Sequence, residues 1–106
     1  MLIRLLPEFE DLPPRYRVVA EQQFLDDCKR LANQHPHFND LLLWFEWLLE
    51  RAPDNPLSHR FEKPYEHYYQ ISSGDIPEAS PPTVIVIYRV EESTVTLWGL
   101  SIVDGD

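Results

Sequence analysis

The chain has 106 residues, enough for one domain and too few for two. Nine Lys and Arg stand against 18 Asp and Glu, a formal charge of −9, so the overall field does not favour phosphate-rich partners. With 43% hydrophobic and 12% aromatic residues there is material for a packed core, which excludes disorder throughout, and a single cysteine, Cys28, excludes an internal disulfide framework.

One cysteine is also consistent with a reducing compartment, so the expected localisation is cytoplasmic. The longest apolar run, residues 41–45, is five residues long. A membrane-spanning helix needs roughly 18–20. Residues 1–7 are apolar only briefly and lead into Glu8, Glu10 and Asp11. Neither a transmembrane segment nor a secretory leader is expected.

Proline divides the chain. Pro7 and then Pro13 and Pro14 interrupt the start, so residues 1–14 read as an arm whose apolar residues 2–6 form a short strand or a docked tail. The domain proper is expected over 15–106. Residues 15–22 have strand character centred on Val18 and Val19. A helix is predicted over 24–34, with Phe24, Cys28 and Leu31 on one face at i, i+4, i+7. Pro36 stands where a second helix could begin, a position that tolerates a missing N–H. The second helix is predicted over 40–52, stopped by Pro53 and Pro56.

The second half changes period. Residues 66–72 read as a short strand carrying Tyr68, Tyr69 and Ile71, and 72–82 as loop. Strands follow over 83–90 and 94–103, rich in Val, Ile, Thr and aromatics, joined by Glu91, Glu92 and Ser93 as a tight antiparallel hairpin. Val84, Val86 and Tyr88 oppose Ile85 and Ile87, so the 83–90 strand is expected at the centre of its sheet. The order is β-α-α-β-β-β: an α+β fold with a helical hairpin packed on one small, antiparallel-rich sheet.

The second helix is apolar nearly all round. Leu42, Phe45 and Leu49 cannot share one face with Leu43 and Trp47, which implies a second covered surface. Leu42, Trp44, Phe45 and Trp47 are the candidate partner-binding residues. The cover is the N-terminal arm, a second subunit in a homodimer, or a helix of another protein. The acidic balance favours a basic partner.

Several stretches resemble the RelE/ParE superfamily of toxins from bacterial toxin–antitoxin modules. Val18 and Val19 leading into Phe24-Leu25-Asp26-Asp27-Cys28-Lys29-Arg30-Leu31, then His35-Pro36-His37-Phe38, are similar to the family's opening strand, first helix and aromatic-proline elbow. The run Leu48-Leu49-Glu50-Arg51-Ala52-Pro53-Asp54-Asn55-Pro56 is similar to its helix end and Asn-Pro stop. The run from Ile85 to Val90 and on through Thr94 to Trp98 is similar to its terminal hairpin. The resemblance covers about residues 15–103 and leaves the arm out. It implies a toxin with a cognate antitoxin as partner.

RelE-type members cut messenger RNA. The resemblance implies Lys or Arg along the second strand, an Arg opening the third, and an Arg with an aromatic or base after the fourth. These clamp the scissile phosphate and move protons. Here the corresponding positions hold Tyr68, Tyr69 and Gln70, then Pro82 and Thr83, then Asp104. From residue 64 onward one basic residue, Arg89, faces seven acidic ones, which speaks against direct nucleic-acid binding by this acidic sheet. ParE-type members are expected to poison DNA gyrase without a nuclease site, so the expected function is a toxin-like protein acting through protein binding.

Two alternatives stand beside it. One is an active endoribonuclease in which Arg60, Lys63 and His67 form a reduced phosphate site with Tyr68 as proton donor. Those cations can equally be a solvated loop paired with Glu62 and Glu66. The other is a small homodimeric adaptor unrelated to toxins. No cofactor is expected, because there is no Gly-rich phosphate loop. No metal is expected, because His35 and His37 lack further converging ligands. Cys28, on the buried helix face, reads as a small core residue.

Overall fold

The computed structural model describes residues 12–35, 38–75 and 83–103. Strand β1 (Arg17–Ala20) leads into helix α1 (Gln22–Ala32) and helix α2 (Phe38–Arg51). Strands β2 (Ser58–Arg60), β3 (Tyr68–Ser72), β4 (Thr83–Glu91) and β5 (Thr94–Val103) follow, with a short 3₁₀ turn, Ser73–Asp75, after β3. The five strands make one mixed sheet in the order β1-β5-β4-β3-β2, in which only the β1–β5 pair is parallel. The architecture is α+β with two helices. Among the described residues no helix is long and apolar enough to cross a membrane.

The helices cover one face of the sheet. In α1, Phe24 and Leu31 are buried and Cys28 half-buried beside them, and Lys29 and Arg30 complement the helix dipole in the last turn. In α2 the buried residues are Phe38, Leu41, Trp44, Phe45, Leu48 and Leu49, a recurrence at three and four residues that defines one wide stripe. The sheet meets them with Ile71, Val84, Val86, Tyr88 and Val95. β4 lies between β3 and β5, central as its two apolar faces predict.

Asn55 ends α2. Its side-chain amide donates to the Ala52 carbonyl at 2.8 Å, and its Oδ1 accepts the Leu57 N–H at 2.9 Å. Both bonds satisfy a buried polar side chain and turn the chain towards the sheet. The arm predicted over 1–14 falls mostly outside the described residues. Its last part is seated on α2: the Leu12 carbonyl accepts from Arg51 Nε at 3.1 Å, and the Arg15 and Tyr16 N–H groups donate to the Glu50 carbonyl.

The first strand is shorter than residues 15–22, the helices run 22–32 and 38–51 instead of 24–34 and 40–52, and two further differences fall in the sheet. Residues 58–60, read as loop, form an edge strand, giving five strands instead of four. Ser-His-Arg has no apolar alternation; the strand exists because β3 offers it a ladder, with Ser58 opposite Ile71 and Arg60 opposite Tyr69. The next strand starts at Tyr68, not at residue 66, because residues 62–68 are held in two consecutive turns, Tyr65 N–H to Glu62 O and Tyr68 N–H to Tyr65 O.

Tyr88 ties the layers together. Its ring is fully buried and stacks on Tyr69, with centroids 5.5 Å apart and planes 9° from parallel. Its hydroxyl donates to the Pro53 carbonyl just beyond α2 and lies 2.6 Å from Ser58 Oγ on β2. Burial pushes the phenol well above its ordinary pKa, only partly countered by Ser58, so the group stays neutral across the physiological range. Tyr88→Phe leaves the Pro53 carbonyl without this donor. The expected loss is about 1–3 kcal/mol of unfolding free energy, read from urea denaturation at unchanged m-value.

Candidate functional site

The face of the sheet away from the helices is built in rows. Because Val84, Val86 and Tyr88 point into the core, Ile85, Ile87 and Arg89 point out. The register then places Arg17, Thr94 and Glu91 in one row, and Val19, Thr96, Arg89 and Tyr68 in the next. Gly99, Ile87, Gln70 and His59 form a third row. A β-bulge shifts the β4–β5 register between Ile87 and Tyr88. The extra residue, Trp98, lies on this outer face, where alternation from Thr96 already places it, and is 48% exposed.

Three aromatic rings meet there. Tyr68 lies edge-to-face with Trp98 at 6.0 Å and with Tyr65 at 6.3 Å. Tyr65 is 60% exposed, so the run is open to contact at both ends. Arg89 sits beside it, with Nε 2.6 Å from Glu91 Oε1 in an ion-pair contact. A side-chain hydrogen bond with Tyr68, then Glu91 and Glu21, hold its guanidinium still more firmly in the charged form.

Of the four residues of the ribonuclease alternative, Arg60 and Tyr68 lie on opposite faces of the sheet. Arg60 pairs with Tyr69 on the helix side of the sheet, its guanidinium 5.9 Å from the Tyr69 ring centroid and its Nε donating to the Glu66 carbonyl at 2.6 Å. Tyr68 is on the opposite face, opposite Arg89. Lys63 and His67 are exposed in the connection between β2 and β3. Adjacent strand residues point to opposite faces, so Arg60 and Tyr68 cannot act on one phosphate from these positions.

The acidic count also distributes differently in space. Of the seven carboxylate residues after position 63, Glu91 is the one in the described rows of the outer face. Glu92 is in the β4–β5 turn, at φ 54°. With Arg17 and Arg89 in adjoining rows, the described outer face is mixed and apolar in character. Chain order alone could not reveal this, since it depends on the register and on the bulge.

The proposed partner residues of α2 divide into two pairs. Trp44 is 5% exposed and Phe45 2%, both inside the core, while Leu42 and Trp47 are half-buried at its margin. The Arg51 guanidinium covers the Trp47 ring at 4.8 Å and donates to the Trp47 carbonyl. The outward apolar residue of α2 is Leu43, 64% exposed. The buried residues Phe38, Leu41, Trp44, Phe45, Leu48 and Leu49, flanked by half-buried Leu42 and Trp47, account for most of the all-round apolar pattern. Cys28 is a buffered core thiol, its pKa pushed up to about 11 by burial and then by Asp27.

Among the described residues no three His, Cys, Asp or Glu side chains converge as metal ligands. No protein-family model, curated protein or solved structure matches the chain.

Trp44 and Leu43 separate core from surface on one helix. Trp44→Ala is expected to cost about 3–5 kcal/mol of stability, whereas Leu43→Ala stays within about 0.5 kcal/mol of the parent. Paired thermal and denaturant unfolding curves of the two variants provide the check.

Proposed function

We propose that this chain is a toxin-like protein of the RelE/ParE type, working through contact with another protein and not through RNA cleavage. The observation that carries the reading is the composition of the uncovered sheet face. Aromatic and aliphatic side chains with arginine, and few lysines or carboxylates, is the make-up of protein-contact surfaces. Trp98, Tyr68, Ile85, Ile87 and Arg89 supply it here. The helical hairpin set between the first strand and the rest of a mixed sheet agrees with the superfamily arrangement expected from the sequence. The additional edge strand β2 departs from the four-stranded order expected there.

A nuclease reading lacks a clustered phosphate site. Arg60 is bonded to a backbone carbonyl on one face, and Arg89 is paired with Glu91 on the other. A single-stranded RNA laid on the outer face is the second reading, favoured by one feature: Tyr68 and Trp98 offer stacking surfaces with Arg17 and Arg89 in the adjoining rows. The formal charge of −9 opposes it.

Induced expression in a bacterial host distinguishes these readings. The expected outcome is growth arrest with full-length messages intact by primer extension, relieved in Trp98→Asp. Message cleavage that disappears in Arg60→Ala or His67→Ala would establish the nuclease. Unimpaired growth at high expression would remove the toxin reading.

A further inference from the structure

We infer that the outer edge of β5, from Trp98 to Val103, is a docking edge for an extended segment of a partner protein that carries an acidic side chain. The inference rests on reading the chain as a protein-binding domain, and it adds where a strand would bind and with what charge.

The parallel strand β1 pairs with β5 only from Thr94 to Leu97, while β5 continues to Val103. Among the described residues no strand lies beside the last six residues of β5. That is roughly 20 Å of edge at about 3.3 Å per residue. The Arg17 N–H donates to the Ser93 carbonyl and the Glu21 N–H to the Leu97 carbonyl, so residues 93 and 97 face β1. The bulge at Trp98 then shifts the alternation by one. Leu100 and Ile102 thereby turn their N–H and C=O groups away from β4, towards the open side. Nothing in 98–103 guards this edge: it has no charged residue and no proline.

A groove of about 400 Å³ runs beside it, lined by Arg30, Gln34 and His35 of α1 and its C-terminal turn and by Leu100, Ser101 and Ile102. Leu100 and Ile102 point to one face of the sheet and Ser101 to the other. A groove touching all three therefore follows the strand's edge and not a face. The described lining contains no carboxylate, and Asp27, on the helix surface, pairs with Arg30 at 3.1 Å. In a chain of formal charge −9 this flank is neutral overall, and Arg30, Gln34 and His35 give it hydrogen-bond donors. Main-chain bonds at Leu100 and Ile102 would hold an added strand, and Arg30 and His35 would select a carboxylate on it.

The test is an amide NMR titration of the full, isotope-labelled chain. The probes are a capped octapeptide of alternating valine and threonine with one central glutamate, and its lysine counterpart. The glutamate peptide is expected to shift the Leu100 and Ile102 amides, slow their hydrogen exchange, and bind at least roughly threefold more tightly than the lysine peptide. Arg30→Glu, a change at an exposed position, is expected to reverse that order. Four results would overturn the inference. One is unmoved Leu100 and Ile102 amides at millimolar peptide, and another is an order that Arg30→Glu leaves unchanged. A third is amides already protected in the peptide-free monomer, which places a segment of this same chain on the edge. The fourth is protection confined to a dimer, which places a second copy there. Growth arrest without peptide binding removes this inference alone, and peptide binding without growth arrest removes the toxin reading alone.

Discussion

One buried tyrosine organises the fold. Tyr88 sits in the central strand with its ring stacked on Tyr69 of β3 and its hydroxyl held between the chain leaving α2 and Ser58 of β2. Three elements distant in sequence therefore meet at one side chain. With its inward direction fixed, the alternation of β4 is fixed, and with it the division of the sheet into a helix-covered face and an outer one. Val84 and Val86 follow Tyr88 inward, and Ile85, Ile87 and Arg89 must face out.

The bulge next to Tyr88 resets the alternation of β5. Without the extra residue, β5 would keep strict alternation past Leu97, and Leu100 and Ile102 would face outward in series with Thr96 and Trp98. With it, Leu97 faces inward, Trp98 and Gly99 together oppose Ile87, and Leu100 returns to the core side. Trp98 reaches Tyr68 across β4, and the backbone groups of Leu100 and Ile102 turn away from β4.

The helices and the β4–β5 hairpin were legible in the sequence because their periods are strong: Phe24, Cys28 and Leu31 at helical spacing, and Val and Ile alternating from 83 to 90. Strand β2 was not legible, since three polar residues carry no pattern and gain their conformation from β3. The same holds for the site. Trp44 and Phe45 look alike as candidates on an all-apolar helix, and only packing shows that they lie inside the core while Leu43 faces out. The convergence of Arg60 with Tyr68 failed for a parity reason: they are separated by a hairpin whose register puts them on opposite faces. A tally of charges along the chain missed the mixed character of the outer face because carboxylates at turns and loops count equally with those on strands.

What the protein does therefore turns on whether the outer face recognises protein or phosphate. Its arginines are few, Arg89 is committed to Tyr68 and Glu91, and the chain's field repels polyanions. The most direct measurement follows the Trp98 indole N–H resonance while a 12-nucleotide single-stranded RNA is added to the purified chain at about 0.15 M salt, where screening acts over roughly 8 Å. A protein-contact face predicts a resonance that does not move at RNA concentrations up to about 100 µM, a range that weak nonspecific phosphate binding would already reach. A saturable shift at Trp98 and Tyr68, weakening steeply as salt is raised, would contradict it.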